Sequence, residues 1–292
     1  MKIYRRAILI CLNCLIIFCI QAESVERNGI IFEENFDQIG TKIFDRLKIS
    51  GNANAVVAKE EFLGPSPALK IWLNPINDSV SYRSEVVPYT TLSKDFARKK
   101  HAKLEKEYWY GIRIYLPKDL IIDKDREIIM QWHDQPDWEF KEDWRSPPVE
   151  LNISNIAASS RVKNYILFVR SDAREITPPK GSKNRFEQET RFDIGSIEED
   201  LGKWTQWVLH VKWSYKDDGF LKLWKNGNVV LNLPNHPNTY NDKYGPYFKF
   251  GIYKWTWKKS KGAQQDFTRI IYYDDVYIGN EQAAYRDVVA SR

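Results

Sequence analysis

The strongest constraint on the fold of this chain is a period of two. Over many short segments, apolar residues recur at every second position, and turn residues separate one segment from the next. The stretch Gly245-Pro246-Tyr247-Phe248-Lys249-Phe250-Gly251-Ile252-Tyr253-Lys254 shows this most clearly. Read as a strand, it sends Phe248, Phe250 and Ile252 into a core and Tyr247, Lys249, Gly251 and Tyr253 to the opposite face. That face carries an ammonium and a phenol on either side of a residue with no side chain. The gap at Gly251 reads as room for a substrate.

The same alternation predicts strands at 68–73, 81–86, 108–116, 127–133, 149–153, 165–170, 204–213, 219–224, 229–231, 247–254 and 269–278. Asn226-Gly227 between two of them is the signature of a two-residue type I′ hairpin. No long amphipathic helix is found; 92–97 and 197–201 read as short helices. Many short strands with Gly, Pro and Asn turns predict an all-β sandwich or jelly roll. No linker composition or repeat divides it, so residues 23–292 read as one domain.

Residues 1–22 read as a secretory signal peptide: Lys2, Arg5 and Arg6, then an apolar run from Ala7 to Ile20, then small residues at Ala22 and Ser24. The run is shorter than the roughly 20 residues of a membrane span, so an exported protein without a membrane span is expected. Cys11, Cys14 and Cys19 all lie in that segment, which leaves the mature chain without disulfides or thiolate metal sites. This favours a bacterial periplasmic or secreted protein. The net charge of +5 falls to +2 once the three basic residues leave. A near-neutral chain argues against nucleic-acid binding and assigns any anion binding to a local patch.

Several side chains carry candidate chemistry. Alternation in Ile128-Ile129-Met130-Gln131-Trp132-His133 turns Ile128, Met130 and Trp132 to the core and Gln131 and His133 to the face shared with Lys249 and Tyr253. Arg83 and Glu85 share a strand face, either as an ion pair or as a guanidinium fork for a carboxylate. Glu150 and Asn152 share another. Two polar stretches interrupt the strands: 134–148, with Trp138, Trp144 and Arg145, and the basic 171–191, beside Arg170. Together they are expected to rim a cleft for a polyanion.

The segments Gln131-Trp132-His133-Asp134-Gln135-Pro136-Asp137 and Tyr247 to Tyr253 resemble the two signature stretches of the heparin lyase I-like polysaccharide lyases, a superfamily that includes glucuronan lyases. Arg83-Ser84-Glu85 is similar to that family's Arg-Ala-Glu stretch. The resemblance implies a concanavalin A-like β-jelly roll of two antiparallel sheets and β-elimination on a uronic acid. It implies His133, Tyr253, Lys249 and Arg83 as catalytic residues, and Gln131, Asn152, Tyr247, Arg145 and Arg170 as substrate-binding ones. In this scheme Arg83 neutralises the substrate carboxylate, with Lys249 or Gln131 helping. Neutral His133, with an ordinary pKa near 6.5, takes the C5 proton. Tyr253 protonates O4, its phenol acidified by Lys249; the two roles exchange with the stereochemistry at C5.

No cofactor is needed for that chemistry. The resemblance also offers Asp275 of Asp274-Asp275 as a ligand of structural Ca²⁺. The expected partner is an acidic, uronate-containing polysaccharide, met by a monomer. Heparin lyases of this type carry an insertion after the histidine strand that this chain lacks, and Glu150 would repel a densely sulfated polymer. The basic 171–191 stretch favours a sulfated one, so glucuronan-like and heparin-like substrates both stand. A non-catalytic carbohydrate-binding module on the same fold is the alternative. A glycoside hydrolase would need a close carboxylate pair that no strand here supplies.

Overall fold

A computed structural model describes residues 27–37, 47–51, 54–74, 81–89, 101–121, 125–155, 163–178, 185–258 and 268–290, with backbone only at 47–51 and 155. The signal segment, its cysteines and the helix expected at 92–97 lie outside the described residues. In chain order the strands are β1 (Ile30–Glu34), β2 (Leu47–Gly51), β3 (Asn54–Ala58), β4 (Ala68–Leu73), β5 (Arg83–Pro88), β6 (Glu107–Tyr115), β7 (Glu127–His133) and β8 (Val149–Asn155). They continue with β9 (Lys163–Ser171), β10 (Gln188–Ser196), β11 (Trp204–Lys212), β12 (Phe220–Lys225), β13 (Asn228–Leu233), β14 (Tyr247–Tyr253) and β15 (Arg269–Gly279).

One sheet runs β10-β9-β8-β7-β14-β5-β2, and the other runs β13-β12-β11-β6-β15-β4-β3 with β1 on β15. The pairings within them are antiparallel. This is the jelly-roll sandwich that the alternation predicts. Trp132, Phe248, Phe250 and Met130 from the first sheet pack against Tyr110, Ile112, Trp207 and Tyr273 from the second. Asn226 and Gly227 both have positive φ, as a type I′ hairpin requires.

Four strands fall outside the predicted set: β1, β2, β3 and β10. β2 and β3 are short and lie at sheet edges, where there is little burial pattern to read. β10 falls partly within the stretch expected as a basic loop. It too is an edge strand, and only Phe192 and Ile194 pack on the core, so its sequence stays polar. At 197–201 the expected short helix is a single turn of 3₁₀ helix, Glu198–Asp200. Among the described residues, no helix is long and apolar enough to cross a membrane.

Stacked bulges reshape the middle of the first sheet. Leu151 and Asn152 are adjacent on β8. Their partners on β7, Met130 and Ile128, are two residues apart, and the partners of those on β14, Phe250 and Tyr253, are three apart. Each strand therefore adds one residue. The bulge overturns the expected facing of Ile128, which lines the groove while Ile129 joins the core. It also corrects the reading of Gly251. This residue has φ 138°, and a Cβ there would lie 2.3 Å from Ser84 O. The glycine admits the neighbouring backbone of β5; it does not clear space for a sugar. Across the core, the Tyr273 hydroxyl lies 3.1 Å from Ile129 O and 2.8 Å from Gly251 O, tying both bulges to the second sheet.

Candidate active site

The register of β7, β14 and β5 sets side chains in rows on the outer face of the first sheet. Tyr247 pairs with His133, Lys249 with Gln131, and Tyr253 with Ile128 on one side and Arg83 on the other. These rows floor a groove of about 1170 Å³.

At one end, His133 Nδ1 lies 2.9 Å from Asp134 Oδ1 and 3.0 Å from the Asp134 carbonyl. Both are acceptors, so Nδ1 is the nitrogen that carries the proton in the neutral ring. Tyr247 stacks on the imidazole at 5.9 Å, and Trp144 meets it edge-on at 5.3 Å. Burial pushes the Tyr247 phenol up, and the Asp134 and Glu85 carboxylates add to it. Tyr247 is therefore a neutral wall beside the histidine.

Glu85 holds the middle. Its carboxylate is buried, accepts from the Gln131 amide, and lies 3.2 Å from Arg83 Nε and 3.6 Å from Lys249 Nζ. Burial lowers the Lys249 pKa, with Arg83 adding to the effect and Glu85 opposing it. At the far end Arg83 lies over the Tyr253 ring at 4.0 Å. Burial pulls the Arg83 pKa down, but the Glu85 carboxylate and Tyr253 outweigh it, and the net shift is upward. The cation on the Tyr253 ring is thus Arg83, while Lys249 leans to Glu85 and the Tyr247 ring.

Four of the expected residues are already held by other groups of the protein. Arg145 reaches the groove wall, but its guanidinium is buried among Asp134 (3.4 Å), Asp172 (3.4 Å) and Asp242, and lies on the Tyr240 ring. It braces loops and does not present a free charge. Arg170 is buried on Glu189 (2.7 Å), Glu150 (3.1 Å) and the Pro147 carbonyl (2.7 Å). Asn152 is fully buried beside the bulge, with Arg126 donating to its Oδ1 at 3.4 Å. Asp275 accepts from Arg113 at 3.0 Å and from the Tyr277 hydroxyl at 3.3 Å, so a cation already occupies that carboxylate.

The structure adds residues that the sequence reading passed over. Asp134 orients His133, and its signal was plain adjacency. Arg126, about a quarter exposed, lines the groove between Phe168 and Trp255 and holds Glu150 at 3.1 Å. Alternation counted back from His133 misplaces it, because the bulge inverts the parity before Ile129. Of the basic stretch, Arg174 pairs with Asp172, Arg191 with Glu189, and Arg185 donates to the carbonyls of Asp143 and Trp144.

A charged groove on one face of a two-sheet jelly roll, with imidazole, phenol and guanidinium along its floor, is an arrangement suited to sugar acids. The family model described as polysaccharide lyase matches residues 38–277. The chain belongs to that family and is a polysaccharide lyase. In structure it resembles the endo-β-1,4-glucuronan lyase of the fungus Trichoderma reesei (TM-score 0.66, 19% identity, over 90% of this chain and 98% of that one). It also resembles the alginate lyase vAL-1 from Chlorella virus (TM-score 0.52, 9% identity, 86% and 99% covered). An alginate lyase double mutant in complex with an alginate tetrasaccharide matches with TM-score 0.50 and 12% identity, over 87% of this chain and 98% of that one. At these identities the likeness is one of fold. No curated protein matches the sequence.

Proposed function

We propose that this lyase cleaves an unsulfated polyuronate of the glucuronan type by β-elimination, after export from the cell. The observation that carries the reading is the row His133–Gln131/Lys249–Arg83/Tyr253 on one groove floor, with Glu85 beneath it.

In this reading the uronate carboxylate docks on Arg83, with the Lys249 and Gln131 donors beside it. Neutralising that carboxylate acidifies the C5 proton and stabilises the enolate-like intermediate. His133 Nε2 takes the C5 proton, because Asp134 holds the other ring nitrogen protonated. The C5–H electron pair becomes the C4=C5 double bond, the C4–O4 bond breaks, and Tyr253 gives its phenolic proton to O4. Arg83 on the Tyr253 ring stabilises the phenolate left behind. Through solvent, the proton that His133 has taken is released and one returns to the Tyr253 phenolate, which restores both residues.

Charge balance in the groove supports the substrate class. Arg126 and Arg170 share Glu150, and Arg170 and Arg191 share Glu189. A polymer with one carboxylate per sugar suits such matched charges. A densely sulfated chain would also meet the Glu150 and Glu189 carboxylates that line the groove. The name of the fungal relative in fold, a glucuronan lyase, agrees with this class.

The test is ultraviolet absorbance of the unsaturated uronate during incubation with glucuronan, alginate, hyaluronan, chondroitin sulfate, heparan sulfate and heparin. A rise on glucuronan, absent on its carboxyl-reduced form, is expected. A rise on heparin alone would overturn the substrate, and new reducing ends without a rise would overturn the elimination.

A further inference from the structure

The loops at the His133 end of the groove bury more acid than base. Asp134, Asp137, Glu142, Asp172 and Asp242 are all buried. Arg145, buried among them, pairs with Asp134, Asp172 and Asp242 but with neither Asp137 nor Glu142. Arg174, on Asp172, sits at the surface.

Asp137, Glu142 and Asp242 bring carboxylate oxygens within 4.8 Å of one another. Main-chain donors fix two of the three. The Asp137 N–H donates to Glu142 Oε2 at 2.9 Å, the Lys243 N–H to Asp137 Oδ2 at 2.9 Å, and the Thr177 N–H to Glu142 Oε1 at 2.5 Å. Three like charges held this close repel one another unless a positive charge lies among them. A second observation is independent of the carboxylates. The Thr177 hydroxyl is buried without a hydrogen-bond partner, on a residue only 5% exposed whose own N–H rests on Glu142. Asp242 Oδ2 is likewise buried and without a hydrogen-bond partner. Buried oxygens without hydrogen-bond partners beside clustered carboxylates are a donor set that suits a cation.

We propose that Asp137, Glu142, Asp242 and Thr177 form a binding site for a hard divalent cation of the Ca²⁺ class. An all-oxygen donor set selects Ca²⁺ over softer metals. The site joins three separate segments: the loop after β7, the loop after β9 and the stretch before β14. It thereby fixes the loop that carries Trp138, Trp144 and, at its root, the Asp134 that orients His133. It is distinct from Asp275, whose carboxylate Arg113 holds.

The test uses the full chain stripped with EDTA. Added Ca²⁺ is expected to raise Tm by roughly 5 °C at about a hundredfold excess over its Kd. Tb³⁺ is expected to bind one per chain, with luminescence excited through nearby tryptophan and quenched by Ca²⁺. Asp137→Asn and Thr177→Val should each weaken Ca²⁺ at least about tenfold. They are preferred to Asp242 variants, because Asp242 also anchors Arg145. Equal Tm with and without Ca²⁺, together with no bound Tb³⁺, would overturn the proposal. So would binding undiminished in both folded variants, since the ion would then sit elsewhere.

Discussion

Two buried glutamates in this sandwich keep nearly the same company and do different work. Glu85 on β5 and Glu127 at the start of β7 each face one arginine and one lysine. Around Glu127 everything is closed. Arg269 approaches through Nε at 2.7 Å and Nη2 at 2.6 Å, Lys254 stands at 3.5 Å, and all three side chains are inside the protein. Arg269 also donates to the Ile121 carbonyl, and nearby Lys163 to the Asp125 carbonyl. Around Glu85 the ion-pair contacts are longer, and Arg83 is 26% exposed to the groove. The electrostatic outcomes also differ. Burial pushes Glu127 up, but Arg269 and Lys254 outweigh it and hold the carboxyl below its usual range. At the open cluster the outcome is split: burial pushes Lys249 down, while the Glu85 carboxylate and Tyr253 outweigh burial at Arg83 and raise it. One cluster satisfies its donors from its own backbone. The other leaves Arg83 partly open to the groove, where the proposed uronate carboxylate would dock.

The largest effects test whether the open cluster is the reactive one. Tyr253→Phe and His133→Ala should each lower kcat/KM by about 10²–10⁴-fold, with Tm nearly unchanged. Turnover preserved in both would remove the functional half of the contrast. Next come the glutamates themselves. Glu127→Gln should cost about 3–5 kcal/mol of stability in urea unfolding, because it strands buried cations, while kcat per folded molecule holds. Glu85→Gln should do the reverse. It should lose roughly 1–3 kcal/mol, as a buried polar partner does, but show a clear fall in kcat with the unsulfated substrate. Equal losses of stability with equal turnover would mean that the two clusters do not differ.

A pH series sharpens the sealed side. Glu127 has a folded pKa below its unfolded value near 4.3. Its contribution is therefore full above that value and is lost as pH falls through the folded pKa, where the unfolded chain binds the extra proton. The stability deficit of Glu127→Gln relative to wild type should narrow on acidification below about pH 4. A deficit constant down to that range would mean that Glu127 is not buried as an ion.

Alternation made most strands of both sheets legible, because burial on one face imposes a period that side chains record directly. The paired motifs around His133 and Lys249 were legible for the same reason, since both residues lie on the regular part of their strands, before the bulges on β14 and after those on β7. The sequence could not show which charges cancel. Arg145 and Arg170 read as free cations in polar loops, and only the fold brings Asp172, Asp242 and Glu189 to them from distant segments. Nor could it show the bulges. One inserted residue reverses parity, which hid Arg126 and Ile128 from the groove and made Gly251 look like a substrate gap. Glu85 stands two residues from the groove-facing Arg83, whereas Glu127 stands directly between the groove-facing Arg126 and Ile128. Their separation into open and sealed sites depends on that same shift.

Tyr273 links the two clusters and gives the smallest expected effect. It rises from the second sheet, fully buried, with burial as the main reason its phenol stays neutral and with Glu127 and Glu85 both contributing. Its single hydroxyl proton is shared between Ile129 O and Gly251 O, the carbonyls at the stacked bulges. Tyr273→Phe keeps the ring against Phe250 and removes only that tie. The loss should be about 1 kcal/mol of stability, one ordinary hydrogen bond. The bulges aim Ile128 and Tyr253 into the groove, so slackening them should also lower kcat by less than about tenfold while KM stays fixed. Stability lost with kcat intact would show that the bulges hold their shape through backbone pairing alone. A fall in kcat with stability intact would show that the second sheet positions the reactive cluster from behind.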